Sequence, residues 1–219
     1  MDIKKQYDAF AHDYIEGQKA FFSNKIDEAR AFIAKQLGDL NGKTVLDLGC
    51  GGGADVVAYE ELGAVSVYGI DSSEAMVEEA KKIVRKPELL GVGDIENLSF
   101  DEGAFDVVAA RFSMHYLENF DCAYSEIARV LKPDGKFVIV VPHPLRDFTQ
   151  KQEKVYGKRE LITVGMYDNK VSLTYPSHTL SDYLSEMFLE RFNLVALFEN
   201  NLDNGKETPN TLGISAVRR

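Results

Sequence analysis

Between Lys43 and Ala54 the chain reads Lys-Thr-Val-Leu-Asp-Leu-Gly-Cys-Gly-Gly-Gly-Ala, an apolar run interrupted by Asp47 and followed by four glycines in five positions. The spacing predicts a buried strand that ends beside a carboxylate and turns into a helix through a loop without side-chain bulk. Glycine takes positive φ without penalty and lets a ligand touch the peptide plane, and the helix beyond offers unpaired N–H groups. The loop is therefore the candidate cofactor seat.

From Lys43 onward strand and helix signals alternate. Strands are expected over 44–48, 65–70, 89–92, 105–110 and 136–141, and helices over 54–62 and 121–131. Between the second and third strands, Ser72 or Ser73 caps a helix whose Ala75, Met76, Ala80, Ile83 and Val84 form an apolar face that Pro87 ends. This alternation calls for a parallel, doubly wound sheet. Residues 1–42 hold helical periodicity only: Tyr7, Phe10 and Tyr14, then Ile26, Ala29, Ile33 and Leu37. They read as a helical lid or packing element, with Phe10 and Phe32 as packing residues, while Tyr7 and Tyr14 carry hydroxyls that need partners if buried.

Over 142–178 the rhythm breaks. Pro142 and Pro144, strand-like pieces over 161–164 and 171–175, and turn signals at Gly157 and Asp168-Asn169 replace it. A connection that long in a compact domain is expected to be a functional insertion or substrate cap. Thr179 then N-caps a helix with Tyr183, Leu184, Met187, Phe188 and Phe192 on one face, and strands over 194–198 and 211–217 flank a turn at Asp203-Asn-Gly205. The expectation is one α/β domain with a doubly wound, seven-stranded, mostly parallel sheet. Residues 1–42 would form the lid, 43–141 the cofactor-binding core, 142–178 the insertion and 179–219 the closing helix and strands.

A formal charge of −10, with no basic run beyond pairs such as Lys81-Lys82 and Arg218-Arg219, makes a nucleic-acid backbone a poor partner. A neutral or cationic small molecule suits this balance better. The opening Met1-Asp-Ile-Lys-Lys lacks the apolar core of a signal peptide, and no stretch approaches the roughly 18 apolar residues of a membrane span, so a cytoplasmic location without membrane partners is expected. Cys50 and Cys122 are too few for a disulfide framework or a thiolate metal site.

In a doubly wound sheet the ligand lies beyond the carboxyl ends of the strands. Asp47, Asp71, Asp94, Arg111 and His143 occupy those positions. Gly49-Cys-Gly-Gly-Gly-Ala54 satisfies the dinucleotide pattern, with Asp71 at the spacing of a ribose-binding acid. Asp47, however, would repel a pyrophosphate and attract an ammonium group. S-adenosylmethionine carries that ammonium and no phosphate, which favours it over NAD.

These residues also carry a family resemblance. Asp47-Leu-Gly-Cys-Gly-Gly-Gly resembles the first motif of class I S-adenosylmethionine-dependent methyltransferases. Gly69-Ile-Asp-Ser-Ser, Gly93-Asp-Ile-Glu-Asn-Leu-Ser-Phe, Phe105-Asp-Val-Val and Val130-Leu-Lys-Pro-Asp-Gly-Lys-Phe resemble their later motifs in order and spacing over 43–141. Tyr7-Asp-Ala-Phe-Ala-His-Asp-Tyr14 is similar to the lid start of the small-molecule subgroup that includes quinone-biosynthesis enzymes. The resemblance implies a Rossmann-like methyltransferase fold that converts S-adenosyl-L-methionine to S-adenosyl-L-homocysteine. Residue by residue, it implies that Gly49, Cys50, Gly51, Gly53 and Asp47 hold the methionine moiety. Asp71 and Ser72 would hold the ribose, Asp94 and Ile95 the adenine edge with Met76 packed on the ring, and the Arg111 backbone with Tyr14 the methionine end.

Methyl transfer from a sulfonium needs in-line positioning, water exclusion and, for a protonated acceptor, a base. No metal is required, and no cluster of ligating side chains appears in the sequence. His115 and His143 follow strands four and five and are the candidate bases, and His12 and His178 are weaker ones. Tyr7, Tyr14, Tyr116 and His143 are the candidate substrate residues, the tyrosines as walls that tolerate a cationic methyl donor. Arg111-Phe-Ser-Met stands where amino-methyltransferases acting on DNA or exposed amides carry Asn/Asp-Pro-Pro-aromatic. Two other readings stay open, a non-catalytic binding or scaffold protein of the same fold and an NAD-dependent oxidoreductase, as do the acceptor atom and the choice between monomer and homodimer.

Overall fold

A computed structural model describes residues 3–200 and 208–219. The Asp203-Asn-Gly205 turn lies outside the described residues. The N-terminal region forms α1 (Ile3–Phe22), which bends at Phe10 (φ −138°, ψ 22°), and α2 (Glu28–Leu37), N-capped by Asp27. Ile26 departs from the expected apolar stripe: it precedes the cap and is 78% exposed.

The alternating core follows as β1 (Thr44–Leu48), α3 (Ala54–Glu61), β2 (Ser66–Asp71), α4 (Glu74–Lys81), β3 (Leu90–Val92), β4 (Phe105–Arg111), α5 (Asp121–Val130) and β5 (Leu131–Pro142). Ser73, not Ser72, caps α4, its hydroxyl accepting from the Met76 N–H. Lys132-Pro-Asp-Gly, a turn sequence, sits inside β5. Pairing with β4 jumps there from Phe105–Leu131 to Val107–Lys136, and Asp134 takes φ 60°.

The insertion is α6 (Pro144–Gln150), a loop, and an antiparallel hairpin of β6 (Leu161–Met166) and β7 (Val171–Pro176). The turn signal between the hairpin strands holds: Tyr167, Asp168 and Asn169 all adopt positive φ. The single helix expected after Thr179 is two, α7 (Leu180–Tyr183) and α8 (Glu186–Arg191). Ser185 interrupts the helix by capping the Phe188 N–H, and Phe192 opens the next strand instead of extending the helical face. β8 (Phe192–Asn200) and β9 (Thr211–Arg218) close the chain.

The seven-stranded sheet has the order β3-β2-β1-β4-β5-β9-β8, parallel from β3 to β5 and antiparallel at β9 and β8. The period of two divides the central strands between two apolar layers. Leu46, Leu48, Val108 and Ile139 face α5 with α7 and α8 beyond, whereas Val45, Val107, Val138 and Val140 face α2, α3 and α4. The order reverses at β1, which lies between β2 and β4, so a cleft opens beyond their carboxyl ends.

The insertion is tied to α1. The Gln6 side-chain amide donates to the Thr174 carbonyl and accepts from the Thr174 N–H, closing part of the free edge of β7 as a peptide would. Gly17 packs where any side chain would meet the Tyr167 ring. The loop of the insertion is gathered by the buried Lys151 ammonium, which donates to the carbonyls of Val155, Tyr156 and Lys158.

Beside this loop, burial lifts the Asp147 carboxyl to about 6, against the pull of the Tyr175 hydroxyl and the charges of Arg146 and Lys151. The folded state therefore holds the Asp147 proton more tightly than the unfolded chain. Its ionisation penalty is absent well below pH 4 and accumulates as pH rises through about 6. In a melting series, Asp147→Asn is expected to remove a pH-dependent loss worth about 3 kcal/mol between acid and neutral pH. An unchanged slope in the variant would exclude Asp147 as its source.

Candidate functional site

The cleft at the switch point has a volume of about 850 Å³. Its floor is the glycine loop, pinned to β2 because the Gly49 and Cys50 N–H groups both donate to the Ile70 carbonyl, at 2.8 and 2.9 Å. Gly49 has φ 72°, and a Cβ there would lie 2.3 Å from the Ser113 Cβ, so the turn after β4 can close on the loop only over a glycine. Ser113 Oγ completes that closure by donating to the Leu48 carbonyl at 2.6 Å. Gly51, at φ 49°, has nothing within 4 Å of where a Cβ would stand and presents bare backbone to the cleft. Gly53 does not reach the cleft: a Cβ there would meet Ala80 at 2.9 Å, so its job is the close packing of α3 on α4.

Asp71 lies on the cleft wall at the end of β2. Its carboxylate accepts the Gly51 N–H through Oδ2 and the Ser73 N–H through Oδ1, both at 2.9 Å. Burial raises its pKa, and the amide donors of Ser73, Gly51 and Ser72 oppose the rise. Asp94 borders the same space with Ser72 and Ile95, its Oδ1 accepting the Glu96 N–H in a tight turn. Cys50 also lines the cleft, and burial pushes its thiol up.

Two expected cofactor residues stand elsewhere. Met76 is fully buried beneath α4 and is core. Asp47 shares the face of Val45, so the parity of the strand turns it into the α2–α3 layer. It is 1% exposed, its Oδ2 has no hydrogen-bond partner among the described residues, and burial pushes its carboxyl well up.

The charge at the end of the cleft comes instead from a group the sequence reading did not assemble. Asp55, in the first turn of α3, accepts Arg111 Nε at 2.6 Å and Arg30 Nε at 2.8 Å, and Arg111 also meets Asp27 at 3.4 Å. Burial pushes the Asp55 carboxyl up, but the two guanidiniums outweigh it and hold it below the usual range. Only the Arg111 backbone was expected at this end, whereas its side chain is 6% exposed and charged between two acids. The sequence did contain one clue, an acid in the first turn after the glycine loop.

The roof is aromatic. Tyr7, Tyr14 and Tyr116 all border the cleft, joined by a 2.8 Å Tyr7–Tyr116 hydroxyl hydrogen bond and a 5.3 Å edge contact between Tyr7 and Tyr14. Burial raises all three phenols, so they stay neutral.

The candidate bases do not join them. His143 Nδ1 accepts the Leu145 N–H at 3.0 Å and caps α6, so Nε2 carries the proton and faces Glu199 Oε1 at 2.7 Å. With both nitrogens occupied and the ring off the cleft, His143 is a structural residue. His115 is 3% exposed behind Tyr116, with its ring 4.1 Å from the Tyr116 ring, and burial holds its pKa well below the ordinary value. His12 is exposed on α1 and His178 is buried under the insertion. No group of three ligating side chains able to hold a metal occurs among the described residues. The cleft thus presents the Asp71 carboxylate and the Gly51 backbone on one side and the Arg111–Asp55 pair at its end.

Residues 46–139 match the family model described as a methyltransferase domain. The demethylmenaquinone methyltransferase of Lactococcus lactis is 29% identical over 170 residues, covering 74% of this chain and 68% of that protein. An uncharacterized protein of Haemophilus influenzae is 35% identical over 125 residues, 54% of this chain, and the matched part spans 49% of that relative's length. Among solved structures, the candidate S-adenosylmethionine-dependent methyltransferase of Listeria monocytogenes superposes with a TM-score of 0.72 at 27% identity, covering 87% of this chain and 98% of that one.

Proposed function

This chain belongs to the class I S-adenosylmethionine-dependent methyltransferases, and from that premise we propose that it methylates a small-molecule acceptor held under the tyrosine roof. The observation that carries the reading is Asp71: two loop amides hold its carboxylate against the cleft, and its remaining lone pairs suit a ribose diol. When bound, the cofactor supplies a methyl group already activated on a sulfonium.

The chain's own work is then placement. The Gly51 backbone and Asp71 take the nucleoside, and Asp94 with Ile95 takes the base edge. The Arg111–Asp55 pair faces the amino-acid tail, with a cation for its carboxylate and an anion for its ammonium. Tyr7, Tyr14 and Tyr116 would exclude water from the cleft and offer aromatic walls that tolerate a cationic methyl donor. Asp71, the Gly51 backbone and the Arg111–Asp55 end would hold the cofactor with its methyl group presented for in-line transfer to an acceptor placed under the tyrosines. Among the described residues no helix is long and apolar enough to cross a membrane.

Two measurements test the reading. S-adenosylhomocysteine should raise the melting temperature with the logarithm of its concentration above Kd while NAD(H) leaves it unmoved. Incubation with S-adenosylmethionine and a metabolite panel should release S-adenosylhomocysteine with at least one acceptor. Stabilisation without release on any acceptor would favour a non-catalytic binding protein, and stabilisation by NAD(H) alone would overturn the assignment.

A further inference from the structure

We propose that the seam between the insertion and the core encloses an internal water site directly behind the Tyr116 wall of the cleft. Four side chains along this seam are each at most 3% exposed: His115, Asp147, His178 and Tyr183. Each has one polar atom without a hydrogen-bond partner among the described residues, namely His115 Nδ1, Asp147 Oδ2, His178 Nδ1 and the Tyr183 hydroxyl. A buried polar group of this kind is almost always satisfied in a native protein, by protein or by ordered water.

The four belong to one contiguous set. Asp147 Oδ1 accepts the Tyr175 hydroxyl at 3.0 Å, and the Tyr175 ring meets the His115 ring edge-on at 4.7 Å. His178 Nε2 lies 3.0 Å from the His115 carbonyl oxygen, and the His178 ring is 5.4 Å from that of Tyr183.

The donor count identifies the occupant. A carbonyl can only accept, so His178 Nε2 carries the proton and its Nδ1 is a bare acceptor while the ring is neutral. Burial holds that ring neutral by lowering its pKa to about 4. Asp147 Oδ2 is a second acceptor, and the Tyr183 hydroxyl supplies a single proton. The occupant must therefore donate to both acceptors while accepting from Tyr183 or His115, and must be small. An anion is unsuited, because it would face the Asp147 carboxylate. Water donates two bonds and accepts two, and bridges such a set.

The water site has a bearing on the cleft. His115 transmits the set to Tyr116, its ring lying 4.1 Å from Tyr116, whose hydroxyl holds Tyr7 of the lid. Tyr183 and Asp147 are in this sense positioning residues for the acceptor wall. That consequence rests on the methyl-transfer reading, whereas the water site does not.

The test uses the full chain without ligand. A crystal structure is expected to show ordered water within hydrogen-bond distance of Asp147 Oδ2 and His178 Nδ1. Direct pairing of the four groups, or a dry seam, would overturn the site. Tyr183→Phe, which removes one hydroxyl and no volume, should lower the melting temperature and the number of long-lived internal waters counted by water-oxygen relaxation dispersion. An unlost or raised melting temperature, or an unchanged count, would show that the hydroxyl has no water partner. For the positioning role, the carbon-13 signal of the Tyr116 phenol, assigned by its disappearance in Tyr116→Phe, should shift in Tyr183→Phe. An unmoved signal refutes the link to the cleft, and no arm depends on turnover.

Discussion

Asp71→Ala is expected to reduce the affinity for S-adenosylhomocysteine by roughly 100-fold or more in a calorimetric titration, since hydrogen bonds to a charged group contribute about 1.5–3 kcal/mol each. Two losses combine. The ribose diol loses its acceptor, and the Gly51 and Ser73 amides lose the carboxylate that fixes the loop against β2 and the start of α4. Asp71→Asn separates the two, because its single carbonyl oxygen can replace only part of this set, and it should fall between alanine and the native protein. The Gly49 and Cys50 anchors to Ile70 do not involve Asp71, so the variant should retain the native circular dichroism spectrum. Native affinity in Asp71→Ala would remove the residue from the cofactor site.

Arg111→Ala should have the largest effect on stability. The guanidinium lies buried between Asp55 and Asp27, and deleting it leaves two carboxylates in a space that Arg30 alone cannot neutralise. Breaking one side of a buried ion pair costs about 3–5 kcal/mol, readable as a shifted urea midpoint. Arg111→Lys should recover only part of this, because a point charge cannot reach both acids in the geometry of the fork. The pH dependence gives an independent check. Asp55 titrates below the usual carboxylate range in the native protein, so its stabilising contribution is present above that range and is lost as pH falls through the lowered value. In Arg111→Ala that acid-induced loss should shrink, and a variant as stable as the native protein would show that the pair carries no stability.

The parts of the site legible in the sequence are those encoded locally. Gly49 and Gly51, the acids at 71 and 94, and the β-α alternation each announce themselves within a few residues, and the strand order follows from the alternation. Asp47 shows how a local signal can mislead. Its place before the glycines suggests the cleft, yet the period of two that buries Val45 carries it to the same side. His143 could not be judged from its neighbourhood, because its second partner, Glu199, lies on a strand laid beside β9 much later in the chain. The Asp27–Arg30–Asp55–Arg111 group likewise joins three separate elements, and only the fold brings them together. Tyr7, Tyr14 and Tyr116 were legible because a phenol beside a cleft has few bland uses once its hydroxyl must be satisfied.

The Gln6 amide that stands in for a peptide along β7 has a bearing on how proteins of this architecture can exchange their inserted segments. A hairpin grafted from a relative would arrive with its own edge and its own residue in place of Tyr167, against which Gly17 is now fitted. Residues 3–22 and 142–178 therefore form one module despite their separation in the chain. Recombination that moves either piece without the other should yield a protein that still folds around its sheet but has lost the shape of its roof. A changed roof would be reached more readily through paired substitutions across the α1–β7 contact than by swapping the insertion alone.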